Sequence, residues 1–295
     1  MTEPIPPKLS IVVLNYNSGD LLVNCLDSIF ADDMPFPIQV IVPDNGTTDD
    51  SLARAQAKWN DRIQVIHTGA NKGFAWGNNF GIRASHGEYV CLLNPDTIVH
   101  KGMFRELIAF MDSHPRAGFC GPKVLNTDGS FQLSAKRSIP SPFDAISRAL
   151  HLSLLFPKSQ RFARYNLTYL DPDATQIVDA STGCCMLARR TMLDEIGLVD
   201  ENFFIYCEDV DWFLRAKKAA WETWYIGSVV LDHHHAYSER FRRSKAVVDF
   251  HRSMIYFHRK HHAQRYPFVV NALIYSAVYA RMGMMIGWKS IKGWR

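Results

Sequence analysis

Residues 10–17 read SIVVLNYN, residues 38–46 read IQVIVPDNG and residues 88–97 read EYVCLLNPDT. Each stretch is a short β-branched or apolar run closed by Asn or Asp. Runs of this length with unbroken apolar character predict strands buried on both faces. A further strand is expected at IQVIH, 63–67. Helical periodicity fills the gaps between them. Residues 18–30 place Leu21, Leu22, Cys25, Leu26 and Ile29 on one face, and other helices are expected from Ser51 to about Trp59, over GFAWGNNFGIRAS after a Gly-rich turn, and over about 101–114. Strand–helix alternation at this spacing predicts an α/β fold, a mainly parallel sheet with helices on both faces. Ligands of such sheets bind beyond the carboxyl ends of the strands. Asn15 and Asn17, then Asp44, then Asn94 and Asp96 are delivered to that edge. Any one of them could be a turn or helix cap, but three strands ending this way point to a site.

The alternation loosens after Lys123. Residues 138–175, which hold SIPSPF, a short amphipathic helix near 142–154 and LFPKSQRF, read as an insertion over one end of the sheet. Strands are expected at 177–187 and 223–231. Helices are expected at 208–220 and at 244–262, the latter with Val247, Phe250, Met254 and Phe257 on one face. With 47% hydrophobic and 21% charged residues in a chain of 295, disorder, collagen and coiled coil are excluded as the main architecture. The six cysteines never stand at C-x-x-C spacing, which argues against a zinc knuckle or disulfide scaffold and fits a reducing compartment. The opening MTEPIPPKLS lacks the apolar run of a secretory signal.

Charge divides the chain into a body, 1–238, of net −6 and a region, 239–295, of net +10. Such a tail suits an anionic partner, lipid headgroups or nucleic acid, and no nucleic-acid motif accompanies it. The long apolar stretch Pro267–Trp288 is interrupted by Asn271 and Arg281, and is flanked by Arg259, Lys260, Arg265, Lys289, Lys292 and Arg295. This pattern favours a helix lying in the headgroup region over a span. A helix packed on the protein's own core is the competing reading.

No G-x-G-x-x-G follows the first strand and no P-loop exists, which disfavours a dinucleotide oxidoreductase or a P-loop NTPase. A nucleotide diphosphate would then need a metal, and Asp96 is placed to hold Mg²⁺ or Mn²⁺. The densest acidic cluster, Glu208, Asp209 and Asp211 in FFIYCEDVDWFLRAKKAAW, opens a helix after an aromatic run. Acids there complement the helix dipole, and a carboxylate in a partly dry cleft can also serve as general base. The run His233-His234-His235 follows an expected strand. Alternation allows at most two of them to share a face.

The order of SIVVLNYN, VPDNGTTDDS, NKGFAWGNNFGI, GEYVCLLNPDT, VDASTGCCMLARR, FFIYCEDVDWFLRAKKAAW and HRSMIYFHRKHH resembles the family 2 glycosyltransferases of the GT-A, Rossmann-like fold, and among them the bacterial rhamnosyltransferase-type enzymes of surface polysaccharide assembly. The resemblance covers about residues 9–262. It implies that Asn15, Asn17 and Asp44 line the base and ribose pocket, that Asn71, Lys72 and Asn79 help hold the nucleotide, and that Asn94 lies near the ribose. Asp96, in an N-P-D that takes the place of D-x-D, would hold a divalent metal (Mg²⁺ or Mn²⁺). Asp209 would be the catalytic base, with Glu208 and Asp211 in support. A histidine completes the metal site, and counting back from Ser238 favours His233. The usual H-x-G-G-x-S reads HHHAYS here, which leaves His234 and His235 open. Pro43 before Asp44 is a second departure.

The implied activity is inverting, metal-dependent transfer of a sugar from a nucleotide-diphosphate donor, thymidine-diphosphate rhamnose first, to a saccharide or polyprenyl-linked saccharide. The implied location is cytoplasmic, peripheral on the anionic inner leaflet, with residues 138–175 on the acceptor side and no nucleic-acid partner. A nucleotidyltransferase, or a non-catalytic nucleotide- or lipid-binding protein on the same fold, are the alternatives.

Overall fold

The computed structural model describes residues 6–234 and 244–291. The first half of the chain runs β1 (Leu9–Val13), α1 (Asp20–Ala31), β2 (Ile38–Asp44), α2 (Ser51–Trp59), β3 (Gln64–His67), α3 (Phe74–Ala84), β4 (Tyr89–Leu93), β5 (Thr97–Val99), α4 (Met103–Ser113) and β6 (Ala117–Leu125). Then follow β7 (Lys136–Arg137), α5 (Pro142–Ala149), α6 (Leu152–Leu155), β8 (Gln176–Val178), β9 (Ala180–Ser181), β10 (Cys185–Arg189), α7 (Arg190–Ile196), α8 (Glu208–Lys218), β11 (Glu222–His233), α9 (Ser244–His261) and α10 (Phe268–Ile291). The main sheet has nine strands in the order β3-β2-β1-β4-β10-β6-β11-β5, with β8 beside β11.

The expected parallel order holds for β3-β2-β1-β4. Beyond β4 the pairings are mixed. β10 lies antiparallel between β4 and β6, while β11 is parallel to β6 and antiparallel to β5 and β8. Alternation along β1 shows why both faces are covered. Leu9, Ile11 and Val13 pack with Leu22 and Leu26 of α1 and Phe104 and Leu107 of α4. Val12 packs to the other side with Ala75 and Ile82 of α3 and Trp212 and Phe213 of α8. Full burial of each such aliphatic side chain contributes about 1.5–3 kcal/mol.

Three local readings differ from the sequence expectation. The strand expected at 177–187 is broken into β8, β9 and β10, because the chain turns at Thr182–Cys184 to pass α8. A Cβ on Gly183 would stand 3.0 Å from Asp209 Oδ2. The helix expected near 142–154 is two pieces, divided at His151, which has a left-handed φ of 55°. The central strand β6 carries no strand signal, since Gly118, Gly121 and Pro122 are all depleted in strands. Gly121 is there because Ser181 crosses it so closely that a Cβ would lie 2.0 Å from the hydroxyl. The register of β11 shifts between Ile226, the partner of Pro122, and Val230, next to where proline supplies no ladder donor.

The C-terminal helices are tied on by charge. Lys260 Nζ of α9 donates to Asp200 and to Asp211, both at 2.6 Å, and His261 Nε2 meets Asp211 at 2.6 Å. Arg215 Nε adds a bond to the same Asp211 at 2.9 Å. The two polar interruptions of the apolar stretch both face α9. His258 Nε2 meets Asn271 Oδ1 at 2.7 Å, and Arg281 Nη1 meets His251 Nε2 at 3.0 Å. The remainder of α10 is widely exposed and apolar, with Phe268 85%, Leu273 65% and Trp288 63% exposed. Among the described residues one helix, Phe268–Trp288, is long and apolar enough to cross a membrane, and none of it is buried in the protein. The boundary drawn at 238/239, and the basic residues 240, 242, 243, 292 and 295, lie outside the described residues.

Burial raises the Asp200 pKa, but Lys260 and the Asn202 amides outweigh it and hold the carboxyl down at about 2. Asp211 is likewise lowered by His261, Lys260 and Arg215 against the effect of burial. A depressed folded-state pKa adds stability that is full above the unfolded value, about pH 4, and is lost as pH falls through the folded value. Stability is therefore expected to drop between about pH 4 and pH 2, and Asp200→Asn should flatten that drop in denaturant melts across the range. Asp211→Ala, which leaves Arg215 and Lys260 without their buried partner, should cost about 3–5 kcal/mol in the same assay.

Candidate active site

A cavity of about 1480 Å³ opens at the carboxyl ends of β1, β2 and β4. Its wall takes Tyr16, Asn45, Asn71, Asn94 and Asp96 from the strand-end side, and Arg137, Glu208, Asp209 and His233 from the later elements. Phe250, Met254 and Phe257 of α9 and Ile274, Val278 and Arg281 of α10 continue the same wall.

The strand ends are braced by their own side chains. Asn15, fully buried, donates from Nδ2 to Asp44 Oδ1 (3.2 Å), Thr47 Oγ1 (2.9 Å) and Ser51 Oγ (3.1 Å). Asn17 sits at a left-handed φ of 52°, and its Oδ1 accepts the backbone N–H groups of Thr48 (2.7 Å) and Asp49 (3.2 Å). Both residues thus hold the loop after β2 and fix Asp44, which also has His67 Nδ1 at 3.5 Å. Asn45 belongs to the strand end Asp44-Asn45-Gly46, although the sequence assigned it no role of its own. Its Nδ2 donates to Asn71 Oδ1 and to the Gly73 carbonyl, both at 3.1 Å, and so joins the strand end to the NKG turn on the cavity wall. Gly73 has φ 112°, and a Cβ there would strike the Phe204 carbonyl at 2.3 Å, so only glycine lets the turn meet the segment leading into α8. Lys72 Nζ lies 4.4 Å over the Trp76 ring. Asn79 works inside the protein, donating to the Val199 carbonyl (2.8 Å) and Glu201 Oε1 (2.7 Å) to clip α3 to the loop before α8.

Asp96 and His233 meet on the cavity wall with Oδ1 and Nε2 3.2 Å apart, both nearly buried. The antiparallel pairing of β5 with β11 makes this contact, and the backbone N–H of His234 donates to the Asp96 carbonyl at 2.9 Å. The His234 side chain is exposed, and His235 lies outside the described residues. Gln132 stands on the other ring nitrogen of His233, at 3.2 Å. Burial pulls the His233 pKa down, but the Cys184 sulfur and the Asp96 carboxylate prevail and push it up to about 10. At neutral pH the two therefore form an ion pair, and only with the ring proton displaced would the imidazole nitrogen and the adjoining carboxylate oxygen be suitable donors for Mg²⁺ or Mn²⁺, which take their other ligands from phosphate and water. Among the described residues no group of three or more His, Cys, Asp or Glu side chains converges as a metal site.

The acidic cluster separates into three roles. Tyr206 and Cys207 both adopt positive φ, 67° and 66°, which costs roughly 1–2 kcal/mol per residue. This reversal delivers Glu208 and Asp209 to the cavity as the first turn of α8. Asp209 Oδ2 accepts from Arg137 Nη2, whose guanidinium also donates to the Ser181 carbonyl at 2.6 Å. Arg137 was missed by the sequence reading because it lies in the loosened stretch with no motif around it. Burial opposes its charge, and the Asp209 carboxylate restores it and raises the Arg137 pKa. Glu208 is buried beside Asp209. Burial first, and the neighbouring negative charge second, push its carboxyl up to about 8. Asp211, two residues after Asp209, belongs to the Arg215–Lys260–His261 cluster that fastens α9.

Family comparison agrees with this geometry. The profile described as glycosyl transferase family 2 matches residues 10–197. The chain belongs to that family. The N-acetylglucosaminyl-diphospho-decaprenol L-rhamnosyltransferase of Mycobacterium tuberculosis is 30% identical to this glycosyltransferase over 278 residues, 89% of this chain and 86% of that protein. The rhamnosyltransferase WbbL of Escherichia coli is 25% identical over 244 residues, 80% of this chain and 87% of that one. Among solved structures, S. aureus TarS 1-349 superposes with a TM-score of 0.55 at 19% identity, covering 82% of this chain and 65% of that one. A Pyrobaculum calidifontis mannosyltransferase in complex with GDP-Man and Mn²⁺ gives 0.55 at 17% identity, covering 85% and 65%. These neighbours share the GT-A fold.

Removing the Asp209 charge should lower the Glu208 pKa from about 8, while burial keeps it above the ordinary value. Titration of isotope-labelled glutamate by NMR in Asp209→Asn checks this. An unmoved Glu208 would mean that the two carboxylates do not share a field.

Proposed function

We propose that this family 2 glycosyltransferase transfers a sugar from a nucleotide-diphosphate donor to a lipid-linked saccharide, with inversion, in surface polysaccharide synthesis. Rhamnose from thymidine diphosphate is the donor best supported, through the two rhamnosyltransferases to which the chain is similar. The observation that carries the reading is the placement of a clamped carboxylate, Asp209, in the same cavity as the Asp96–His233 pair.

In this mechanism Asp209 accepts the proton of the acceptor hydroxyl as that oxygen attacks the anomeric carbon. Arg137 aims the carboxylate, and Oδ1 is steadied at 2.8 Å by the Val210 N–H. Displacement occurs in one step from the face opposite the leaving group, so the anomeric centre inverts. Asp96 and His233 would hold the divalent metal, which when bound neutralises charge building on the leaving diphosphate. Asn45, Asn71 and Asn94 line the nucleotide side of the cavity, and Asp44, held by Asn15, fixes the base and ribose end. Pro140, Ser141 and Tyr165 of the insertion 138–175 line the cavity too and shape its acceptor side. The enzyme works at the cytoplasmic face, docked peripherally. The exposed apolar face of α10 enters the headgroup region, and its basic flanks add about 1 kcal/mol per Lys or Arg near an anionic surface.

Asp209→Asn is expected to reduce kcat by about 10²–10⁴ with donor affinity retained. Steady-state kinetics and calorimetry read the two separately, and full turnover by the variant would overturn the assignment. A Mn²⁺-dependent rise in Tm with thymidine or uridine diphosphate is expected in a thermal-shift panel. The intact chain should float with anionic liposomes at low salt and remain behind with neutral ones.

A further inference from the structure

Arg281 is the single charged side chain between Phe268 and Trp288. It lines the active-site cavity while remaining open to solvent. Its Nη1 donates to His251 Nε2 at 3.0 Å, and its guanidinium lies 5.8 Å from the Phe250 ring. His251 is fully buried on α9 and its Nδ1 donates to the Val247 carbonyl at 2.7 Å, which leaves Nε2 as the acceptor. Burial, together with the neighbouring Arg281, lowers the His251 pKa, so a neutral ring aims the arginine without cancelling its charge. The Phe250 ring meets the Tyr206 ring edge-on at 5.4 Å, and Tyr206 stands two residues before Glu208. The rest of the wall from α9 and α10 is mostly apolar, with Met254, Phe257, Ile274, Val278 and Met285 beside His258 and His262.

One cavity thus holds carboxylates, a guanidinium and an aliphatic and aromatic wall on the two helices nearest the expected membrane surface. A saccharide joined through a diphosphate to an isoprenoid chain presents groups that match all three. We propose that Arg281, positioned by His251, binds the diphosphate of a lipid-linked acceptor, and that the wall between α9 and α10 receives the first isoprenoid units. The inference rests on the lipid-linked acceptor reading above. A guanidinium fork suits bidentate contact with phosphate oxygens. In the reading above the donor's diphosphate is assigned to Asp96 and His233, which are brought together by the pairing of β5 with β11.

The test compares two acceptors, a saccharide on an isoprenoid diphosphate and the same saccharide on a phosphate-free alkyl chain. Arg281→Ala is expected to raise KM for the diphosphate acceptor by about tenfold or more, to change KM for the alkyl acceptor little, and to leave donor Kd in place. Arg281→Lys should recover part of the loss. With wild-type enzyme, farnesyl diphosphate should compete with the acceptor at least about tenfold more tightly than farnesol, a readout that does not depend on a variant folding. An unchanged KM, an equal loss toward both acceptors, or equal inhibition by the diphosphate and the alcohol would overturn the subsite. A wild-type enzyme that ignores the diphosphate-linked acceptor while using another would overturn the acceptor reading itself, and the subsite with it.

Discussion

Three carboxylates enter the interior on the first turn of α8, and the surrounding structure is arranged to keep them there. A buried charge without a partner is costly, so each needs its own solution. Asp209 has Arg137, brought by β7 across the short β7–β9 ladder. Asp211 has Arg215 on its own helix and Lys260 and His261 on α9. Glu208 holds a proton up to about pH 8 under burial and its neighbour's charge. These solutions decide where the insertion strand, the last soluble helix and the left-handed turn at Tyr206–Cys207 must lie. The strained turn persists because Gly73 and Phe204 pack it from the nucleotide side.

The same arrangement gives neighbouring acids different work. Asp209 faces the cavity and pairs with an arginine. Asp211 is sealed into a salt-bridge cluster and links α8 to α9. The helix that carries the proposed base and the one on which the exposed apolar helix α10 rests are thereby joined through a few charge-assisted bonds.

Asparagines show the limit of motif reading in the other half of the site. Asn15 and Asn17 sit where the strand-end rule puts them, yet their side chains bond inward and brace Asp44 and the following loop. Asn79 clips α3 to the 199–201 loop. Asn45, adjacent to a residue singled out for the site, reaches the wall, as do Asn71 and Asn94. Residue type and position along a strand indicate the neighbourhood of a ligand. Which side chain touches it depends on how hydrogen bonds are shared among close polar groups.

The parallel half of the sheet, the covering helices, the acidic turn of α8 and the apolar character of α10 were legible in the sequence, because apolar periodicity and short-range turn chemistry are local properties. Family membership was legible in the order of the motifs. The tertiary structure alone decided the rest. It placed β10 antiparallel between β4 and β6, brought Arg137 onto Asp209 across 72 positions of chain and set His233 against Asp96. It turned Asn271 and Arg281, which interrupt the apolar helix in the sequence, inward onto α9. Pairing between distant segments depends on which buried polar groups must satisfy one another, and no window of neighbouring residues contains that information.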